Sequence, residues 1–314
     1  MISLFLFTIP FCHFCPAAKN PGRGNWTMAV SYVKEFLVMT KMGFVFGGCL
    51  IVFLLVPALA RAGEAQNAFN EGVKFYKTGK YKEAVAAFNR AIKAAPKADE
   101  AYNNRGLTYF KLGRYDDAIK DYDEALKLNP KLTDAYFNRG NVHFAQKQYD
   151  RAVKDYDEVI KNDPKAPRAY RQRGLAHNGL NQFDQAIQDF TQAQKLDPKD
   201  ADIYYSRGLA YRRLGKNEQA AQDYSEAIKL EPKNAEAYNN RANAYSVLGK
   251  YDDAVKDYDE AIKLDGKNAK VYANRGVIRA RQGKQDDAQK DFKKALDLDP
   301  SLKNKLEPLL TPIK

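Results

Sequence analysis

The sequence is poor in the residues from which metal and redox sites are built. Its 314 residues include 3 cysteines, 3 histidines and a single tryptophan. Cys12, Cys15 and Cys49 all precede residue 50, so the rest of the chain can form neither a disulfide nor a cysteine metal site. The stretch CHFC at 12–15 lies in an apolar leader without a second pair of ligands. We therefore expect neither a metal nor a cofactor.

The sequence also lacks the motifs of catalysis. No nucleophilic triad, metal-ligand cluster, phosphate-binding glycine loop or nucleotide fingerprint stands out. His13, His143 and His177 fall in unrelated places, and the last two occupy positions where Tyr or Phe recurs elsewhere. The 12 residues that follow residue 302 are too few for a catalytic domain. We expect no enzymatic activity.

Positive charge is in modest excess and is dispersed. The formal net charge is +12, and residues 63–314 carry 46 basic and 38 acidic side chains, a net of +8. Most bases alternate with acids, as in DDAIKDYDEALK at 116–127, where acids precede lysines by four residues on a solvated helix. A nucleic-acid binder instead gathers its bases on one face. The pattern predicts a solvated surface and no nucleic-acid partner.

An uncharged apolar run at 43–60 precedes an abrupt change of composition. The small-x-small pattern at 60–62 is typical of signal cleavage, so we interpret 39–62 as a signal peptide of the bacterial type. Cleavage after Ala62 predicts a periplasmic or secreted protein. The alternative stays open, because 18 apolar residues lie at the lower edge of what spans a bilayer of about 30 Å. In that case 43–60 is a retained anchor and the only membrane contact.

Residues 1–38 add a second apolar segment and a polar gap before this run. A start codon placed too far upstream explains them. Met28, Met39 or Met42 would each give a signal of more ordinary length. We therefore treat 1–38 as a leader of doubtful status.

One pattern recurs every 34 residues over most of the chain. Prolines mark the period, with Gly266 in one place of the series: Pro96, Pro130, Pro164, Pro198, Pro232 and Pro300. Alanine recurs without exception, followed four residues later by Phe or Tyr: Ala84, Ala118, Ala152, Ala186, Ala220, Ala254 and Ala288. Seven units follow one another without an insertion, here called repeats 1 to 7: 65–98, 99–132, 133–166, 167–200, 201–234, 235–268 and 269–302.

This pattern resembles the tetratricopeptide repeat family, whose period carries W-x2-L-G-x2-Y, then A-x3-F, then P. The resemblance covers 65–302 and implies an all-α fold, a right-handed α-solenoid of seven 34-residue helix-turn-helix repeats. Residues 303–314 follow as a short C-terminal cap or tail. Leu302 and Leu306 are four residues apart, and we expect Pro308 to stop any further helix, so that only a very short cap covers repeat 7. The apolar face of repeat 7 should then be incompletely covered and lead to self-association through 286–310.

Two columns, or sets of positions equivalent by the period, depart from the family pattern: Tyr replaces Trp, and Arg replaces Leu. Arg105 and Asp121 lie equally far on either side of a turn at Gly113, so a helical hairpin places them opposite one another. The same spacing predicts a structural ion pair in repeats 2–7: Arg105 and Asp121, Arg139 and Asp155, Arg173 and Asp189, Arg207 and Asp223, Arg241 and Asp257, Arg275 and Asp291. Repeat 1 has Glu71 and Ala87 instead.

The resemblance implies a non-catalytic interaction scaffold or adaptor, with a groove lined by the first helix of each repeat. A polar column on these helices is similar to the asparagine ladder of the O-linked N-acetylglucosamine transferases, which holds an extended peptide by its backbone: Asn70, Asn104, Asn138, Gln172, Ser206, Asn240 and Asn274. An amide offers one acceptor and two donors, which match a peptide unit whatever its side chain. A reading as solvated polar filler stays open.

Four arginines in the middle repeats predict that the bound segment is acidic or phosphorylated: Arg168, Arg171, Arg212 and Arg213. Chaperone-binding members of the family grip a terminal carboxylate with Lys and Asn, but here Asn243 and Asn274 recur without the matching lysines. A complete carboxylate clamp is therefore not expected. The rival function is a membrane-tethered subunit of an envelope, polysaccharide or secretion assembly complex, held by residues 43–60.

Overall fold

A computed structural model of the protein describes residues 48–310. The leader at 1–38 and the first part of the predicted signal segment lie outside the described residues. The chain divides into two units, with the boundary between Asn67 and Ala68.

The first unit is described only from residue 48 onward. The helix Gly48–Lys77 begins in it, so residues 60–62 of the predicted cleavage site lie within a helix. Among the helices of the described range, none combines the length and the apolar character needed to cross a membrane.

The second unit consists of pairs of antiparallel helices, one pair for each repeat. The end of Gly48–Lys77 serves as the first helix of repeat 1. The first helices of repeats 2–7 are Asp99–Lys111, Thr133–Ala145, Pro167–Gly179, Ala201–Arg213, Ala235–Val247 and Ala269–Arg281. The second helices of repeats 1–7 are Tyr81–Ala94, Tyr115–Leu128, Tyr149–Asn162, Phe183–Leu196, Asn217–Leu230, Tyr251–Leu264 and Gln285–Leu298. The described residues contain no β-strand, and the predicted solenoid of seven repeats is confirmed.

Each hairpin turns at one residue in the left-handed region of the backbone. Five repeats use glycine there, with φ of 72° to 75°, at Gly79, Gly113, Gly215, Gly249 and Gly283. Lys147 and Asn181 adopt the same conformation in repeats 3 and 4, both with φ of 59°. Because only glycine reaches this region without a Cβ penalty, the glycine column ends the first helix and reverses the chain.

The two helices of each repeat approach closely at a second glycine column. A Cβ on Gly106 would lie 2.9 Å from the Tyr122 ring, and one on Gly276 would lie 2.6 Å from the Phe292 ring. These glycines are therefore packing residues, and repeat 6 has Ala242 in the same column. The rings that pack against this column are fully buried and form the core of the stack: Phe88, Tyr122, Tyr156, Phe190, Tyr224, Tyr258 and Phe292.

The stacking places the first helices on one common face. In repeats 2–7 each first helix packs on its own second helix and on the second helix of the preceding repeat. First helices also contact each other directly between repeats 2 and 3, 3 and 4, 4 and 5, and 6 and 7. Side chains on this face are therefore repeated at regular intervals along the stack.

The C-terminal cap is longer than the sequence predicts. A 3-10 turn at Pro300–Leu302 leads into the helix Lys303–Leu310, which continues past Pro308. The expectation that Pro308 ends this helix is wrong: the helix runs two residues past it, although an interior proline removes a backbone donor and crowds the carbonyl four residues earlier. Leu306 is only 4% exposed and packs with Leu302 against Phe292 and Ala295 of repeat 7. Self-association through this end stays a prediction.

Candidate partner-binding site

The arginine that replaces the usual leucine forms a two-bonded ion pair in every repeat from 2 to 7. Arg207 Nε and Nη2 each lie 2.8 Å from a carboxylate oxygen of Asp223, and the two side chains are 12% and 8% exposed. The equivalent bonds join all six predicted Arg and Asp pairs, which are thereby confirmed. Repeat 1 instead pairs Glu71 with Arg90. This column is structural.

The same guanidinium also links neighbouring repeats, which sequence analysis missed. Its Nη1 donates to a residue 16 positions earlier, on the second helix of the preceding repeat. That acceptor is a carboxylate for Arg139, Arg173 and Arg275: Asp123, Asp157 and Asp259. It is a neutral oxygen for Arg105, Arg207 and Arg241: Asn89, Thr191 and Ser225. The signal in the sequence is a column that carries a side-chain oxygen in repeats 1–6, each of which is followed by another repeat, and Lys293 in repeat 7.

The tyrosine that replaces the family's tryptophan stacks on this arginine. The guanidinium carbon of Arg207 lies 5.8 Å from the centroid of the Tyr204 ring, and the same contact recurs in the other five repeats. Burial raises the pKa of Asp223, and the hydrogen bonds and charge of Arg207 oppose that rise. The two departures from the family pattern are thus one cation–π and ion-pair unit.

The predicted amide ladder is engaged between repeats. Four of its side chains donate an N–H to the first helix of the preceding repeat, over 3.0 to 3.1 Å: Asn138 to Asn103, Gln172 to Asn141, Asn240 to Tyr205, and Asn274 to Asn243. Their amide oxygens accept no hydrogen bond within the described part of the chain. Asn104 bonds its own helix at the Glu100 carbonyl oxygen, over 2.8 Å. Asn70 is exposed and Ser206 is buried.

The predicted arginines separate into two pairs rather than one cluster. Arg168 and Arg171 lie in the first turns of their helix, whereas Arg212 and Arg213 end the first helix of the next repeat. Arg171 Nη1 lies 2.7 Å from Asp202 and 3.4 Å from Asp200, so its charge is paired within the chain. The sequence could not show this pairing, because the nearer partner, Asp202, belongs to the next repeat.

The other three predicted arginines form no ion pair with a described acidic residue. Over residues 60–308 no carboxylate lies within ion-pair distance of Arg168, Arg212 or Arg213. Arg212 is half-buried, and its Nε is buried without a hydrogen-bond partner among these residues. No group of three His, Cys, Asp or Glu residues in this range could hold a metal ion.

Buried tyrosines of the second helices follow a pairing rule that sequence analysis also missed. The hydroxyls of Tyr156 and Tyr258 donate over 2.8 Å to asparagines 15 residues earlier, Asn141 and Asn243. Repeats 2 and 5 have leucine in that column. Within the described range the hydroxyl of Tyr122 is buried without a partner, whereas that of Tyr224 interacts with the Arg212 side chain.

The comparisons with known proteins agree with this fold. The family described as "Cilia and flagella-associated protein 70 C-terminal domain", a tetratricopeptide repeat family, matches residues 80–303, which is more than half of the chain. The chain belongs to this family. No curated protein matches the sequence.

Solved tetratricopeptide repeat structures show the same architecture. MamA from Desulfovibrio magneticus RS-1 is 26% identical with a TM-score of 0.52, over 55% of this chain and 97% of that one. The C-terminal part of a repeat protein from Cytophaga hutchinsonii is 21% identical with a TM-score of 0.65, over 77% and 99%. YrrB, titled a TPR protein with an unusual peptide-binding site, is 20% identical with a TM-score of 0.53, over 63% and 98%. These likenesses show the tetratricopeptide repeat fold.

Proposed function

We propose that the protein is a non-catalytic scaffold that binds an extended segment of a partner protein along the face of its first helices. The observation that carries this proposal is the amide column. Asn138, Gln172, Asn240 and Asn274 each donate one N–H to the preceding repeat, and their amide oxygens accept no hydrogen bond from the described residues. YrrB carries a peptide-binding site, and at 20% identity that likeness shows only that the fold can carry one.

The geometry of stacked helices sets how a peptide would meet this column. Packed helices lie about 8–10 Å apart, and an extended chain advances about 3.3 Å per residue. A bound segment therefore advances by roughly three residues per repeat. One backbone N–H in each repeat can donate to an amide oxygen, so the recognition reads the peptide backbone more than its side chains.

The test removes two amides and measures the binding of a peptide library. Replacing Asn104 and Asn138 together with Ala should weaken many ligands alike, by about 0.5–1.5 kcal/mol for each lost bond. Asn162→Ala is the matched control, because Asn162 also donates to the carbonyl oxygen four residues earlier but lies on a second helix. Circular dichroism checks that all variants stay helical. Unchanged affinity in the folded double variant would reduce the column to a link between repeats.

We also propose that the signal segment is removed after Ala62. N-terminal sequencing of the protein from its native host decides the matter, and a chain that begins at Gly63 is the expected result. Recovery of an intact 43–60 segment in the membrane fraction would favour the anchored subunit of an assembly complex instead.

A further inference from the structure

The last turn of the first helices presents one side chain per repeat whose chemistry changes along the stack. We call the twelfth residues of the seven repeats the distal row: Tyr76, Phe110, Phe144, Asn178, Arg212, Ser246 and Ala280. All of them are half-buried, so each keeps an accessible part. The row is aromatic in repeats 1–3, cationic in repeat 5, and small in repeats 6 and 7.

The aromatic part of the row is built the same way three times. Each ring packs on an aromatic residue that opens the second helix of the same repeat. The ring centroids lie 5.6 Å apart for Tyr76 and Tyr81, 5.7 Å for Phe110 and Tyr115, and 5.3 Å for Phe144 and Tyr149. The pairing ends after repeat 3, where Asn178 takes the place of the first ring. Repeats 1–3 therefore offer partly exposed apolar surface.

The cationic part of the row is a single unneutralised guanidinium. Arg212 has no carboxylate within ion-pair distance among residues 60–308, in contrast to Arg171 with its two aspartates. Within this range the Arg212 side chain interacts with the buried hydroxyl of Tyr224, which is a neutral group. The neighbouring Tyr205 is already used, since it donates to Glu236 and accepts from Asn240. No acid of the described chain therefore balances the charge of Arg212, and the accessible part of its guanidinium is free to bind a carboxylate from outside.

We propose that the distal row is a two-part binding surface for one partner segment, with apolar side chains of the segment against repeats 1–3 and an Asp or Glu side chain on Arg212. This inference rests on the proposed function, because it supplies the side-chain specificity of the same bound segment. A guanidinium binds a carboxylate through two parallel N–H bonds, which suits an internal acidic residue. Phe144 and Arg212 are two repeats apart, so the acidic residue follows or precedes the apolar one by roughly six residues.

The chain itself supplies the test variants. Phe144→Asn and Arg212→Ser place in the row the residues that it has in repeats 4 and 6, so both should fold. The probes are short labelled peptides with two leucines and one aspartate about six residues away, made in both orders. Companion peptides replace the aspartate with asparagine, move it three residues, or carry an amidated C-terminus. Fluorescence anisotropy gives the dissociation constants at low and high salt.

Arg212→Ser should weaken the aspartate peptide about tenfold, leave the asparagine peptide unchanged and flatten the salt dependence of binding. Phe144→Asn should weaken peptides with leucines and leave leucine-free ones unchanged. Arg114→Ser, at an exposed arginine paired with Asp117, is the control and should change nothing.

The outcomes separate this inference from the proposed function. Wild-type protein that binds none of the peptides contradicts both. In a second outcome, binding depends on Asn104 and Asn138, but Arg212→Ser weakens the aspartate and asparagine peptides equally. That outcome overturns the two-part surface and leaves the proposed function intact. The two-part surface is also overturned if binding is weakened by C-terminal amidation and not by replacement of the aspartate. The anion on Arg212 would then be the terminal carboxylate of the peptide.

Discussion

The arginine column shows how one substitution changes what holds a repeat together. Where the family has leucine, a guanidinium lies between an aspartate of its own repeat, a tyrosine ring and an oxygen of the preceding repeat. A buried ion pair contributes little more to the free energy of unfolding than well-packed apolar residues would. Removing one partner, however, leaves the other charge buried and unpaired, which is strongly destabilising. The column therefore fixes the register of the helices more than it raises stability.

This argument predicts strong coupling between Arg207 and Asp223. Arg207→Ala should cost about 3–5 kcal/mol of unfolding free energy, because it leaves Asp223 buried without its partner. The double Ala variant should cost less than the sum of the two single variants. Urea unfolding measures the three values. The pair Lys229 and Glu226, 75% and 51% exposed, is the control and should couple by less than about 1 kcal/mol. Additive effects at Arg207 and Asp223 would contradict the buried pair.

His143 predicts a dependence of stability on pH. Its Nδ1 lies 2.9 Å from Gln148 Oε1 and its Nε2 lies 3.9 Å from Asp155, and burial lowers its pKa below the ordinary 6.5. The unfolded chain then binds the proton more readily than the folded one. The contribution of His143 is therefore complete above pH 6.5 and falls as the pH drops through the folded pKa.

His143→Tyr tests this dependence, because tyrosine occupies the same column in repeats 2, 5 and 6. The difference in unfolding free energy between wild type and variant should shift in favour of the variant as the pH is lowered from about 7.5 to about 5.5. A difference that stays constant with pH would mean that His143 does not titrate in this range.

At the scale of helices and turns, two repeats tolerate a strained residue. Lys147 takes the left-handed conformation for which five other repeats use glycine. That conformation costs a residue with a Cβ about 1–2 kcal/mol in the folded protein. Glycine removes this strain, but its greater conformational freedom in the unfolded chain offsets about 0.4–1 kcal/mol of the gain. Lys147→Gly should therefore stabilise the protein by about 0.5–1 kcal/mol in urea unfolding. Asn181→Gly should gain less, because asparagine tolerates this region. Equal gains would point to another cause.

The elements that sequence alone predicts are those governed by the 34-residue period. The helix pairs and the pairing of Arg105 with Asp121 follow from positions within one hairpin. Much of what escaped prediction depends on contacts between repeats, such as Arg207 with Thr191 and Arg171 with Asp202. The bond of Tyr156 to Asn141 was also missed, although both residues belong to one hairpin. The period gives the order of residues but not which neighbouring side chains meet across a junction.

Over the whole molecule, the arginine column divides the junctions between repeats into two classes. Junctions 2/3, 3/4 and 6/7 have a second carboxylate on the arginine, whereas junctions 1/2, 4/5 and 5/6 have a neutral oxygen. Repeat 5 is thus bordered on both sides by the neutral class.

A cavity of about 490 Å³ also opens beside Arg207 and Gln194 at junction 4/5. The stability of a repeat array is approximately the sum of its repeats and its junctions. Among the interior repeats, repeat 5 should therefore open most readily, and it is the repeat that carries Arg212.

The double variant Thr191→Asp with Ser225→Asp should make junctions 4/5 and 5/6 as stable as the junctions of the carboxylate class. Each aspartate would take the place that Asp123, Asp157 and Asp259 have in other repeats, next to an arginine Nη1. Because these positions are partly exposed, the expected gain is about 0.5–1 kcal/mol for each junction at low salt, decreasing as salt rises. Thr191→Asn is the matched control, since repeat 1 has Asn89 in this column and an uncharged acceptor gains nothing that salt can screen. Hydrogen exchange of amides in repeat 5 should slow in the double Asp variant and not in the control. Exchange that slows equally in all seven repeats would show that the array opens as one unit, and that the two classes of junction do not differ in strength.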